Sequence, residues 1–165
     1  MILEAGQMLC VAHWFGALRS VGKNLKDFKR IREAKAYAVE HAKNSLIPPW
    51  TLTHTGHPCT VWTSENIGNY NWHVQLMRAL LDEYTSRYNK VHKSETVYEW
   101  LSSNFPYEIK NSPMTEHPQC MPDDCKVIND PVTAYRNYYN KYKAHMAKWN
   151  KLGNIPYWYK GKLDA

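Results

Sequence analysis

Residues 67–88 read IGNYNWHVQLMRALLDEYTSRY. Ile67, Tyr70, Val74, Met77, Leu81, Tyr84 and Tyr88 recur at alternating steps of three and four over about six turns. Side chains at that spacing share one face of a helix, so the stretch predicts an amphipathic helix packed on a core. Ser64 before Glu65, or Thr63 before Asn66, supplies a cap at its start. Downstream, SETVYEWLSSN (residues 94–104) predicts a shorter helix opening at Ser94. Asp130-Pro131 then predicts the start of a last helix, on which Tyr135, Tyr138, Tyr142, Met146 and Trp149 repeat at helical spacing and are expected to dock on the core.

Upstream, residues 1–18 carry Ile2, Leu3, Met8, Leu9, Val11, Ala12, Phe15 and Leu18, the pattern of a mostly buried helix. Residues 24–44 are helical in propensity, with a thin apolar stripe of Phe28, Ile31, Ala34, Ala38 and Ala42. The other faces of that segment carry Lys26, Lys29, Arg30, Arg32, Lys35 and Lys43. Such a face is either simply solvated or follows a phosphate backbone. Pro48 and Pro49 end it, and TLTHTGHPC (51–59) reads as an irregular connector. Residues 105–131 hold five prolines and read as a long loop, which in a compact domain is functional or lies across the surface. No alternation of strand type runs to a useful length. The expected fold is all-α: one small, compact helical bundle over residues 1–165, with a basic helical insertion at about 24–45 and long irregular loops.

At 165 residues with 44% hydrophobic content, the chain is long enough to bury a core without disulfide or metal staples. Its four cysteines are not a disulfide framework at this length, and Cys10 reads as a small core residue. No apolar run approaches a membrane span. The opening stretch has Glu4 and Gln7 and no basic leader, so a cytoplasmic, monomeric protein is expected. A net charge of +6 favours an acidic partner. The 12 Tyr and 7 Trp often sit beside cations, as in YRNYYNKYK (135–143) and WYKGK (158–162). Rings stack on bases while Lys and Arg neutralise phosphates, although rings at helical spacing also build cores.

For chemistry, His54, His57 and Cys59 cluster in one connector and His117, Cys120 and Cys125 in another, enough N and S ligands for zinc. Their spacing matches no zinc pattern, having no CxxC pair and a rigid proline inside His57-Pro58-Cys59. No GxSxG, P-loop or dinucleotide glycine motif is present, and no cofactor is expected. Glu4 lies in the first turn of an apolar helix, where the helix dipole alone favours an acid.

Three stretches together resemble the phage pyrimidine-dimer DNA glycosylases, small all-α enzymes that also nick abasic sites. In GHPCTVWTSENIGNYNWHVQLMRALLDEYTSRY (56–88), Gly56-His57, Trp62, Tyr70, Leu76, Leu80, Glu83 and Arg87 fall in the family's order. Pro156, Trp158, Tyr159, Lys160, Gly161 and Lys162 match its closing run, and Glu4 lands where it keeps a catalytic glutamate. The chain is also similar to a group of phage proteins that share its His57-Pro58-Cys59 and Glu83-Tyr84-Thr85-x-Arg87-Tyr88 stretches. The resemblance implies chemistry without a metal. An α-amine attacks the sugar C1′ of a damaged pyrimidine nucleotide, expels the base as an imine forms, and β-elimination cuts the strand. Glu4 would stabilise the cationic sugar and move protons, with His57 near the DNA backbone. Double-stranded DNA would be held, kinked, by Lys26, Lys29, Arg30, Arg32, Arg87, Trp158, Tyr159, Lys160 and Lys162.

The chain departs from the family before Glu4. The family's segment carrying the nucleophilic amine has no counterpart, and Leu3 and Ala5 replace its basic flanks. The expectation is a truncated form, or one that keeps the DNA-binding frame without the lyase. Met1 is expected to be retained before the bulky Ile2, with its amine about one helical turn from Glu4. Three readings follow: a DNA glycosylase/abasic-site lyase, a non-catalytic nucleic-acid-binding protein, or a zinc-stabilised interaction module.

Overall fold

The helix read from residues 67–88 starts and stops at asparagines. In the computed structural model, which describes residues 1–149 and 155–161, the Asn66 side chain accepts from the Asn69 N–H at 2.9 Å and caps the start. At the other end Asn89 takes a left-handed conformation (φ 49°) and donates its N–H to Thr85, a geometry asparagine tolerates better than most residues. The described residues form six α-helices and no strand: α1 (Ile2–Ser20), α2 (Ile31–His41), α3 (Pro58–Glu65), α4 (Ile67–Tyr88), α5 (Glu95–Ser103) and α6 (Pro131–Tyr138). The fold is all-α. None of these helices is long and apolar enough to cross a membrane. The chain divides into two units, Met1–Thr115 with α1 to α5 and Glu116–Ala165 with α6.

In the first unit α1 is central and packs against α2, α3, α4 and α5. It is buried nearly all round, which its continuous apolar and small residues permit. One side of it, through Leu9, Cys10 and Ala12, meets Tyr70, Met77 and Leu81 of α4 and Val97 and Leu101 of α5. Another side, through Val11, Trp14, Ala17 and Leu18, meets Ala34 and Ala38 of α2. The apolar stripe of α4 leaves this core in its last turns. Tyr84 stacks instead on Tyr88 and His92, with ring centroids 4.8 Å apart in each pair.

Three local expectations differ from the structure. The connector read over 51–59 ends before Pro58, where a separate helix, α3 (Pro58–Glu65), begins, because Pro58 occupies a first-turn position where its missing N–H costs nothing. Asn66, and neither Ser64 nor Thr63, caps α4; Thr63 and Ser64 instead bond back to the Cys59 and Thr60 carbonyls. The basic segment is not one helix. The Asn24 side chain accepts from the Lys26 N–H and Asp27 accepts from the Asn24 N–H, a closed local circuit that ends in a short 3-10 turn before α2 begins.

The first part of the proline-rich loop is a strap across the helices of the first unit. Ile67 and Gly68 donate N–H bonds to the Lys110 and Ser112 carbonyls at 2.9 and 3.2 Å. Asn69 exchanges hydrogen bonds with Thr115, and the Arg19 guanidinium donates to the Tyr107 carbonyl at 2.6 Å. Two glycines make room for it. A Cβ on Gly68 would lie 2.2 Å from the Met114 nitrogen, and one on Gly16 would lie 2.6 Å from the Tyr107 nitrogen.

Under the strap lies a buried polar pair. The Tyr70 hydroxyl donates to the Leu101 carbonyl at 2.9 Å, so His13, 2.7 Å away through Nε2, is the donor to the Tyr70 oxygen. The His13 ring also meets Trp100 edge-on at 4.7 Å. Burial pushes the His13 imidazole down to about 3 from its ordinary 6.5. The unfolded chain therefore binds a proton that the native state refuses between those two values. Stability contributed by neutral His13 is complete above about pH 6.5 and is lost as pH falls toward 3, by up to ~1.4 kcal/mol per pH unit. Urea titrations between pH 6 and pH 4 should show this slope, and His13→Gln should flatten it by about one proton. An unchanged slope in that variant would refute the assignment.

In the second unit the remainder of the proline-rich loop folds on itself. Gln119 pairs with both the N–H and the carbonyl of Val127, and the Tyr135 hydroxyl donates to the Pro118 carbonyl. Met121, Cys125 and Ala134 form a small core. Asp130 caps α6 by accepting from the Thr133 N–H and hydroxyl at 2.9 and 2.6 Å. The predicted single helix ends at Tyr138. It opens into a wide π turn (Tyr139–Lys143) and then a 3-10 turn (Ala144–Met146). Tyr142 and Met146, expected to dock on a core, are exposed.

Candidate nucleic-acid interface

The strip Lys26, Lys29, Arg30 and Arg32 is built by the break between the 3-10 turn and α2. Extended backbone at Phe28 and Arg30 spreads these residues over a turn, a linker and a helix start. All four side chains are exposed, and none forms an ion pair among the described residues. Two acids, Asp27 and Glu33, lie beside the strip in sequence; Asp27 accepts from the Asn24 N–H, and neither forms an ion pair with the four cations. The apolar side of α2 meanwhile holds Ala34 and Ala38 fully buried, which fixes the cations outward.

A second basic surface is a cleft of about 640 Å³ in the second unit. It is lined by Arg136 and Asn137 of α6, Asn140 and Lys141 of the π turn, and Tyr157, Trp158 and Lys160. Asn140 holds the last segment in place: its amide donates to the Trp158 carbonyl at 3.2 Å, and its oxygen accepts from the Lys160 N–H at 2.7 Å. Tyr159 turns inward, is buried, and donates its hydroxyl to the Ala144 carbonyl at 3.2 Å. Tyr157 and Trp158 thereby face the cleft, where the Arg136 guanidinium lies 5.4 and 5.7 Å from their ring centroids.

The charges of this cleft are unevenly matched. Asp124 is bonded by the Lys141 amine and, at 2.8 Å, by the Tyr142 hydroxyl. These bonds hold its carboxyl below the ordinary carboxylate range and push Lys141 up. Arg136 and Lys160 form no ion pair among the described residues, although Arg136 is near enough to Asp130 to help the Thr133 hydrogen bonds hold that carboxyl below its ordinary range. The cleft thus presents two cations beside two rings.

Glu4 is exposed in the first turn of α1, with its Oε2 3.3 Å from the Met1 α-amine. His57 is the N-cap of α3 and accepts from the Cys59 N–H at 3.2 Å through Nδ1. No hydrogen bond or ion pair joins Glu4 to His57 among the described residues. Arg87 pairs with Glu83 one turn earlier on α4 at 2.5 Å. Lys162 lies outside the described residues. Of the zinc candidates, Cys125 belongs to the small core of the second unit, and the His117 ring pairs through Nδ1 with the Pro118 carbonyl at 2.9 Å.

Arg136, Asn140 and Tyr157 were not among the residues singled out from the sequence. Arg136 reads there only as one of several cations on a helix, and nothing in the string marks Asn140. The in-and-out placement of Tyr157 and Tyr159 follows from contacts made 15 to 20 residues away.

No protein-family model matches the chain, and no curated protein and no solved structure matches it either. What its geometry defines is a class, an all-α protein with two cation-bearing surfaces among the described residues, one of them lined with aromatic rings.

Proposed function

We propose that this protein binds nucleic acid, with double-stranded DNA held through the phosphates by the Lys26, Lys29, Arg30 and Arg32 strip. The observation that carries the reading is that four neighbouring cations are exposed and none forms an ion pair among the described residues. Surface cations left unpaired in this way release condensed counterions when they meet a phosphate backbone, and this supplies affinity without sequence preference. Titration of a labelled 20-base-pair duplex at salt concentrations from 50 to 200 mM tests it. Binding that falls linearly on a log–log plot supports the reading, and absence of binding at the lowest salt removes it.

A second reading, DNA glycosylase/abasic-site lyase chemistry on damaged pyrimidines, is favoured by one observation: Glu4 is an exposed carboxylate in the first turn of the otherwise apolar α1. Such a carboxylate can stabilise a cationic sugar and can accept and return protons as an amine attacks C1′ and the imine forms. Borohydride trapping on duplexes carrying an abasic site or a thymine dimer should give a covalent adduct, and Glu4→Gln should lower its yield by roughly 100-fold, within the usual worth of a general acid–base group. Duplex binding with no adduct on either substrate would leave the first reading standing alone.

A further inference from the structure

We infer that the cleft of the second unit takes an unpaired nucleotide, its base stacked on Tyr157 and Trp158 and its phosphate held by Arg136 and Lys160. This rests on the nucleic-acid reading above and assigns a substrate class to a surface other than the duplex-binding strip. The cleft volume of about 640 Å³ is within the usual span of small-ligand sites, roughly 300–1,000 Å³.

Tyr157 is 88% exposed, yet it is carried on backbone that Asn140 and Tyr159 fasten through hydrogen bonds. A large ring left in solvent on a fixed support has its face available at little entropic cost on binding. Arg136 lies beside both rings, where its planar guanidinium can serve a phosphate and a π face together. Lys141 is occupied by Asp124, so the cations left for a phosphate are Arg136 and Lys160. The amide of Asn137 also lines the cleft and offers both a donor and an acceptor to a base edge. Duplex DNA hides its base faces in the stack, so rings presented in this way require a base that is single-stranded or extruded.

The test uses the full chain and fluorescein-labelled oligothymidylate of about ten nucleotides, with oligouridylate and a duplex of equal length alongside. Stacking on an aromatic side chain is worth roughly 5- to 150-fold in affinity per base. Tyr157→Ala should lose affinity for the single strands within that range and leave duplex affinity within about twofold. Tyr157→Trp should restore single-strand binding, because the ring face and not the hydroxyl is used. Arg136→Lys should weaken single-strand binding while thermal melting stays unchanged. The two single strands differ in the 2′-hydroxyl and in the C5 methyl group of the base, and a site that reads the ring face should bind both. Unaltered single-strand binding in Tyr157→Ala, with duplex binding intact, would overturn this inference and spare the function proposed above. No binding to any of the three probes would remove both.

Discussion

Replacing Lys26, Lys29, Arg30 and Arg32 together by alanine is expected to flatten the salt dependence of duplex binding by about 3 to 4 in log–log slope. Each phosphate neutralised on B-DNA contributes roughly 0.9 to that slope, so four contacts account for about 3.6. Over the interval from 50 to 200 mM salt, a slope of that size alone changes affinity on the order of 100-fold. The substitutions should not disturb the fold, because all four side chains are exposed and α2 is held by Ala34 and Ala38, which are untouched. Alanine is also a good helix former, so α2 gains slightly in local propensity. A thermal melt matching the parent chain, with the slope reduced, would assign the phosphate contacts to this strip. A variant that keeps the parent slope would mean that the charge on this face is only solvated, and the proposed duplex surface would have to be given up.

Gly68→Ala is expected to cost about 3 kcal/mol or more and to lower the melting temperature by roughly 10 °C. The added Cβ would lie 2.2 Å from the Met114 nitrogen and 2.6 Å from the Pro113 carbonyl carbon, both backbone atoms that cannot swing aside. Either α4 moves or the strap lifts. Lifting it breaks the bonds from Ile67 to Lys110 and from Gly68 to Ser112, and loosens the Asn69–Thr115 exchange. Each such bond contributes about 1 kcal/mol net, and any partner left buried and unsatisfied costs more. Gly56→Ala is the matching control. No atom stands within 4 Å of a Cβ there, so its effect should stay within about 0.5 kcal/mol. Equal melting temperatures for the two variants would show that the strap is not seated against α4. Proteolysis confined to residues 105–115 in Gly68→Ala alone would show where the chain had come loose.

Several elements were legible from spacing alone because their cause is local. The period of residues 67–88, the Asp130-Pro131 start of α6 and the mostly buried opening helix all rest on side chains within one or two turns of each other. The short helix after Ser94 was likewise placed correctly. α3 escaped because its eight residues have no clear stripe, and proline at its first turn reads equally well as a break or a start. The basic segment was misjudged as one helix because the Asn24 and Asp27 side chains compete for the backbone, a contest that average propensity does not register.

The candidate sites divide in the same way. Exposure of the strip follows from its charge alone: Arg32 lies on α2 opposite Ala34 and Ala38, while Lys26, Lys29 and Arg30 stand on the turn and linker before it, where hydration of charge keeps them in water. The roles of Tyr157, Tyr159, Arg136 and Asn140 do not follow from pattern. They depend on hydrogen bonds spanning 15 to 20 residues between the π turn and the 155–161 segment. Thus composition and periodicity determined by themselves that the protein is all-α, basic and rich in exposed cations, because burial of apolar faces and hydration of charge act on each helix separately. Only the tertiary structure decided which rings turn inward as anchors and which line a cleft, and that two glycines seat a strap, because these outcomes depend on contacts between segments far apart in the chain.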